Sequence, residues 1–345
     1  MTAALEALLG IRHPIVLGAF GGLSNVELTA AVSEQGGLGQ YGLYGYPAER
    51  IRQTADALRA ATDAPIGLNL WLPTGDEVTP DRIDIAALTT RLAPFYAELG
   101  IQPPVAPDAF LPGFAEQFEA VLDARPAVVS FVYGVPPADA VAAAHERGIR
   151  VLGTATTVAE ARALAAGGVD AIVASGAEAG GHRVSFLRAA EDSLVGTLAL
   201  VPQVVDAVDV PVIAAGGIAD RRGVAAARAL GAHGVLVGTA FLATRESAAT
   251  SAHRDAIRAV ADDGTALTRA LSGRLARGIP NRAMRELEGA PIAPFPAQNW
   301  ATGAFRAEAA RRDQGELLSL WAGQAAPLAR LDGAAELFAE LRAGL

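Results

Sequence analysis

The stretch Val210-Pro-Val-Ile-Ala-Ala-Gly-Gly-Ile-Ala-Asp220, answered after one helical segment by Gly234-Val-Leu-Val-Gly-Thr239, decides the fold. Each half is a short β-branched run of buried-strand type that ends in glycines and enters a helix. Glycines let a backbone approach a ligand closely. Helix starts turn their orphan N–H groups and positive dipole ends toward it. Two consecutive strand–glycine–helix units near the end of an alternating β/α chain stand where a (β/α)8 barrel holds a phosphate. A phosphorylated ligand is therefore expected.

Working outward, short apolar runs followed by helical segments repeat with parallel-barrel spacing. The runs are Ile15–Gly18, Leu38–Tyr41, Ile66–Leu70, Val128–Phe131, Arg150–Gly153, Ala171–Ala174, Val212–Ala215 and Gly234–Val237. Ser24 with Glu27, and Thr157 with Glu160, have capping-box spacing, and Gly148 and Gly167-Gly168 stop helices. Two stretches break the rhythm. Residues 74 to 123 hold most of a Pro-rich segment between the third and fourth strands, and residues 247 to 300 read as helical and polar. The expected architecture is α/β: a (β/α)8 TIM barrel (1–75, 124–246 and 304–345) with a small helical lid from two insertions (76–123 and 247–303). The segment Phe305 to Leu341 is expected to close the outer layer.

Composition excludes several classes. The net charge of −9 and pI near 5.1 oppose nucleic acid or an anionic membrane as the main partner. The amino-terminal stretch lacks an export pattern, and no apolar run reaches spanning length, so a soluble cytoplasmic protein is expected. There is no Cys, and all 28 basic residues are Arg. Thiol nucleophiles, Schiff-base lysines and P-loop lysines are thereby absent. No acidic or histidine pair has metal-ligand spacing, so no metal is expected. Oligomeric state is open, with room for a homodimer.

Active sites of such barrels sit at the C-terminal ends of the strands. Of five histidines, only His182 falls at such an end on the mouth side, after Gly176, Gly180 and Gly181. It is either a general base or a satisfied loop residue. Glu178 orients it, pairs with Arg183 or caps the loop. Asn69, at the third strand end, either hydrogen-bonds a planar heterocycle or satisfies loop backbone. Gly18, Gly21 and Gly22 admit a flat ring or serve a tight turn.

The residues resemble a known family. Gly18-Ala-Phe-Gly-Gly-Leu-Ser24, Gly36-Gly-Leu-Gly39, Gly67-Leu-Asn69-Leu-Trp-Leu-Pro73 and Gly134-Val-Pro136 look like nitronate monooxygenases. So do Glu178-Ala-Gly-Gly-His182, Ala214-Ala-Gly-Gly-Ile-Ala-Asp220, Gly238-Thr-Ala-Phe-Leu242, Pro296-Ala-Gln-Asn299 and Leu320-Trp-Ala-Gly-Gln324. The resemblance implies an FMN-dependent barrel enzyme that oxidises alkyl nitronates, such as propionate 3-nitronate, with O2 and releases nitrite. By position it puts Asn69 and the backbone of Gly18, Ala19, Phe20 and Gly21 against the flavin ring. Ser175, Gly180, Gly181, Gly216, Gly217, Leu236, Val237, Gly238 and Thr239 would hold FMN, Gly238 and Thr239 at its phosphate. His182 would stand beside the substrate as base or anion partner. Ser175 departs from the Gln common at its position, and Trp71 and Val184-Ser185-Phe186 also depart from the usual pattern. The alternatives are an NAD(P)H-dependent FMN enoyl-thioester reductase and a flavin-free barrel that binds a phosphorylated metabolite. A nucleotide-dehydrogenase barrel would need a reacting cysteine.

Overall fold

The computed structural model describes residues 2–345. The strands are β1 (Ile15–Leu17), β2 (Gly39–Gly42), β3 (Ile66–Trp71), β4 (Val128–Val132), β5 (Arg150–Ala155), β6 (Ala171–Ser175), β7 (Gly181–His182), β8 (Val212–Ala215), β9 (Gly234–Val237), β10 (Ala266–Thr268) and β11 (Ala276–Gly278). Eight of them pair in parallel in the order β1-β9-β8-β6-β5-β4-β3-β2. Val16 bridges Leu38, with Leu17 N donating to Leu38 O at 2.9 Å, and this joins β1 to β2 and closes the barrel. Each sequence-expected strand appears within two residues of its expected limits. Among the described residues no helix is long and apolar enough to cross a membrane.

Strand parity sorts the side chains. Leu68, Leu70, Val129, Phe131, Ile172, Ala174, Val212, Ala214, Val235 and Val237 point outward into the core shared with the helices. Val16, Leu38, Val128, Leu152, Val173, Ile213 and Ala215 fill the barrel interior, where Leu5 and Leu9 of helix Thr2–Leu9 join them. The amino-terminal helix thus plugs the bottom. Gly234 makes room for it: a Cβ there would come within 2.7 Å of Leu5.

A second apolar core lies beside the mouth. It joins Leu88, Leu92, Phe95 and Tyr96 of helix Ile85–Glu98 to Leu271, Met284, Ala301, Phe305 and Leu318. Its limits differ from those expected at two places. Residue 304 falls inside helix Ala297–Arg311, whose Phe305 and Ala309 belong to this second core. The barrel packing begins at Ala322, Ala326 and Ala329 and continues through Leu337, Phe338 and Leu341 of the last helix, Ala334–Arg342. Helix Phe114–Ala124 also sits on the barrel, with Phe118 against Phe131 at 5.9 Å.

The insertions are also not purely helical. After the last barrel strand, β10 and β11 form an antiparallel pair, and β11 pairs with β7 to make a three-stranded sheet. Strands of two or three residues carry no detectable period, and their pairing is non-local, which is why the sequence reads as helical there.

Candidate active site

The inward positions of the upper barrel end on a cavity of about 380 Å³, within the usual size of a cofactor or substrate site. Gln40, Asn69, Trp71, Ser130, Thr154, Ser175, Ala215 and Leu236 form its floor and walls. The loops Gly18–Leu23 and Glu178–His182, the turns at Gly216-Gly217 and Gly238-Thr239, and Phe295, Asn299, Arg306, Trp321 and Gly323 complete it. Of the expected site residues, Gly18, Ala19, Phe20, Gly21, Asn69, Ser175, Gly180, Gly181, His182, Gly216, Gly217, Leu236, Gly238 and Thr239 are therefore brought together. Val237 is not. It follows Leu236 on β9, so its side chain faces the helices in the outer core, and it does not line the cavity.

The glycine turns are built for an anion. Gly216 and Gly217 have φ of 101° and 73°, a conformation that favours glycine. The backbone N–H groups of Gly216, Gly217, Gly238 and Thr239 find no acceptor among the described residues. Gly216, Gly238 and Thr239 are half-buried and Gly217 is exposed at the cavity, and free N–H groups at neighbouring glycine turns and a helix start are the arrangement that takes an anion. Thr239 Oγ1 accepts from Gly323 N at 2.9 Å and ties the carboxyl-terminal segment to this turn. Gly180 permits the same closure, since a Cβ there would lie 2.5 Å from Gly323 N.

On the floor, Asn69 Nδ2 donates to Ser130 O at 3.1 Å and to Ser130 Oγ at 3.0 Å. Its Oδ1 is left without a donor. Gln40 Nε2 donates to Leu17 O at 3.1 Å, and the buried Gln40 Oε1 has no partner. The floor thus offers two spare carbonyl acceptors.

His182 stands on β7, held by β11 through the pairing of His182 with Ala276. Its Nε2 lies 2.8 Å from Ser272 Oγ, and that hydroxyl donates to Arg274 O at 3.1 Å. Nε2 is thereby engaged and Nδ1 is the open nitrogen; with the serine proton on Arg274 O, Nε2 donates and Nδ1 keeps its lone pair. Burial, with Arg274 and Arg306 nearby, pushes His182 down to about 3, and the ring is neutral at physiological pH. Trp71 and Trp321 flank it at 5.1 and 5.4 Å. Glu178 does not orient it: both carboxylate oxygens accept from Thr197 N at 2.9 Å, at the start of helix Thr197–Val205.

The other histidines lie elsewhere. His233 Nδ1 accepts from Val212 N at the bottom of β8, and His145 pairs with Asp170. His253 is buried against Trp321 O. His13 lies tilted against Phe338 beneath the barrel, with ring centroids 6.0 Å apart.

Sequence reasoning missed Ser272, Tyr44 and Arg306. Ser272 is ninety residues from its partner. Tyr44 follows β2 and Arg306 lies on helix Ala297–Arg311, and no local pattern reveals that the two meet. A smaller cavity of about 240 Å³ adjoins the first and shares Tyr44, Trp71 and Phe295 with it, so these rings partition the two. Arg274 borders the smaller cavity, donating to Asp76 at 2.9 Å and Glu77 at 2.8 Å and stacking on Tyr133 and Phe295.

Known proteins match over the whole chain. The family model described as nitronate monooxygenase matches residues 2–344. A nitronate monooxygenase of Pseudomonas aeruginosa is 42% identical over 99% of this chain and 98% of its own. Among solved structures, nitroalkane oxidase from Streptomyces ansochromogenes superposes with a TM-score of 0.86 at 37% identity, covering 98% of this chain and 96% of that one. FabK from Thermotoga maritima superposes with a TM-score of 0.76 at 29% identity over 98% and 94%. With the barrel, the glycine turns and the cavity histidine in place, the chain belongs to the nitronate monooxygenase family of flavin oxidoreductases.

Proposed function

We propose that the enzyme holds FMN in the barrel mouth and oxidises alkyl nitronates with O2, releasing nitrite and a carbonyl product. The observation that carries this is the cradle of unpaired N–H groups at Gly216, Gly217, Gly238 and Thr239 beside a neutral, oriented imidazole. The residues fit the cofactor. The cradle suits its phosphate, while the spare oxygens of Asn69 and Gln40 suit ring N–H donors. Bound there, FMN would supply the electron transfer between substrate and O2.

The chain's own residues orient, dry and deprotonate. A nitronate is already an anion, so it asks only for placement. A neutral nitroalkane must first lose its α-proton, and Nδ1 of His182 is the group placed to accept it; held near 3, the imidazole is a weak base, so the step depends on the nascent nitronate offsetting the new imidazolium charge. Trp71, Phe295 and Trp321 exclude water around it, and the second apolar core serves as the lid over the mouth. Purified protein should be yellow and release FMN on heating. Oxygen uptake over a panel of nitronates, with nitrite measured in parallel, tests the reaction; no nitrite from any of them refutes it.

The likeness to FabK favours one second reading, an NAD(P)H-dependent enoyl-thioester reductase. Anaerobic mixing with NADH or NADPH separates the two. Rapid bleaching of the flavin supports the reductase, and an unchanged spectrum supports the nitronate enzyme.

A further inference from the structure

Arg306 poses an electrostatic problem that the chain does not solve by itself. It lines the cavity, yet no Asp or Glu acts on its guanidinium, and burial pulls it down only to about 10, so it keeps its charge at neutral pH. An enclosed charge without a counter-ion is costly, and proteins keep one mainly where an anion comes to it. Arg183, near Glu160 and Glu178, and Arg277, near Glu178, do have carboxylates to balance them, and neither lines the cavity; they brace the backbone at Gly176, Ser175 and Ala177. Arg306 is the cation the cavity meets.

Its hydrogen bonds lead to a second donor. Nη1 donates to Ser319 Oγ at 2.7 Å, and Nη2 donates to Asn299 O at 3.0 Å and Asn299 Oδ1 at 2.7 Å. Three of five N–H groups are thus used; the buried Nε–H is without an acceptor. Because Asn299 Oδ1 faces the arginine, its Nδ2 must face Tyr44, and it donates to Tyr44 Oη at 3.0 Å. The phenol oxygen therefore accepts, and its own proton finds no acceptor among the described residues. Burial raises Tyr44 to about 12, so the phenol stays protonated. Asn299 and Arg306 are two turns apart on helix Ala297–Arg311, which brings both to one face, and Tyr44 follows β2. A chain of donors runs from charge to cavity and ends in an unclaimed O–H.

We propose that Arg306, Asn299 and Tyr44 form an anion-recognition subsite for a planar two-oxygen anion, with Tyr44 donating to one oxygen and Arg306 balancing the charge. Nitronate and carboxylate share that shape and charge, so the subsite takes either the reacting nitronate or a carboxylate elsewhere on the same substrate. The site prefers the anion to the neutral nitroalkane for the same reason. This deepens the nitronate reading and rests on it for the identity of the substrate, but not for the binding of the anion.

The test uses FMN-loaded wild type with Arg306→Gln, Arg306→Lys and Tyr44→Phe. Tyr44→Phe keeps the ring that packs 4.3 Å from Trp71, so it tests the subsite independently of any folding defect at Arg306. Binding of propionate and butyrate is followed by flavin absorbance and thermal shift, and turnover is followed with ethyl nitronate, propionate 3-nitronate and neutral nitroethane. We expect Arg306→Gln and Tyr44→Phe to weaken anion binding or raise nitronate KM by about 10- to 100-fold, with kcat changed less, and Arg306→Lys to restore part of it. Nitroethane KM moves little.

If the loss appears with ethyl nitronate, the reacting group is the anion bound; if only with propionate and propionate 3-nitronate, it is the carboxylate. Carboxylate binding that is lost in the variants while no nitronate turns over keeps the subsite and refutes the nitronate reading. Unchanged binding and KM in folded Arg306→Gln and Tyr44→Phe overturn the subsite. So does a wild type that neither binds carboxylates nor distinguishes nitronate from nitroethane.

Discussion

His182 Nε2 and Ser272 Oγ lie 2.8 Å apart, and this contact fixes which imidazole nitrogen is open to substrate. Ser272→Ala should lower turnover of neutral nitroalkanes about 10-fold by releasing the tautomer. His182→Ala should lower it by about 10²- to 10⁴-fold, the usual contribution of a general base. Nitronate turnover should fall less in both. Steady-state oxygen uptake measures this, and equal losses for the two substrate forms refute the base.

One buried histidine, His253, and one half-buried in the cavity, His182, make stability fall in acid. Burial pushes His182 to about 3 and His253 to about 4, both below the free value of 6.5. Between those values and 6.5 the unfolded chain binds protons that the folded chain does not, so stability rises with pH across that window and is lost as pH falls through it. Each group contributes a slope of about 1.4 kcal/mol per pH unit there. Urea midpoints measured from pH 7 to pH 4 should drop steeply, and His253→Gln should flatten the drop.

Arg274 holds the first insertion to the second. It is buried, donates to Thr74, Asp76 and Glu77, and stacks on Tyr133 and Phe295. Arg274→Met leaves partly buried Glu77 without its partner and should cost about 2–4 kcal/mol in chemical denaturation. By removing a nearby cation it should also raise the His182 pKa, which histidine NMR titration reads directly.

Gly180→Ala should separate the carboxyl-terminal segment from the glycine turns. The added methyl would sit 2.5 Å from Gly323 N and 2.6 Å from Ala322 C, both backbone atoms that cannot turn aside. A loss of about 1–3 kcal/mol is expected from overpacking, with a lowered ratio of bound FMN to protein after gel filtration.

Trp71 is expected to limit substrate length. Its ring stands between the two cavities with Tyr44 and Phe295. Trp71→Ala should join them and raise kcat/KM for longer alkyl nitronates by about fourfold per added methylene until the space fills. A homologous series from ethyl to octyl nitronate reads this, and an unchanged profile refutes the partition.

The sequence by itself determined the barrel and its ligand end. Eight short apolar runs at regular spacing allow little else, and the strand–glycine–helix turns at Gly216 and Gly238 carry their meaning locally, because glycine conformation and helix starts are local properties. Strand parity also explains the one misplacement, since Val237 and Leu236 differ only in which face of β9 they occupy.

Tertiary structure decided everything that depends on distant segments meeting. Ser272 orients His182 only because β11 pairs with β7. Arg306 reaches Tyr44 only because helix Ala297–Arg311 docks over the mouth. Such contacts leave no period in the chain: one arginine on a polar helix looks like any solvated charge until the fold encloses it.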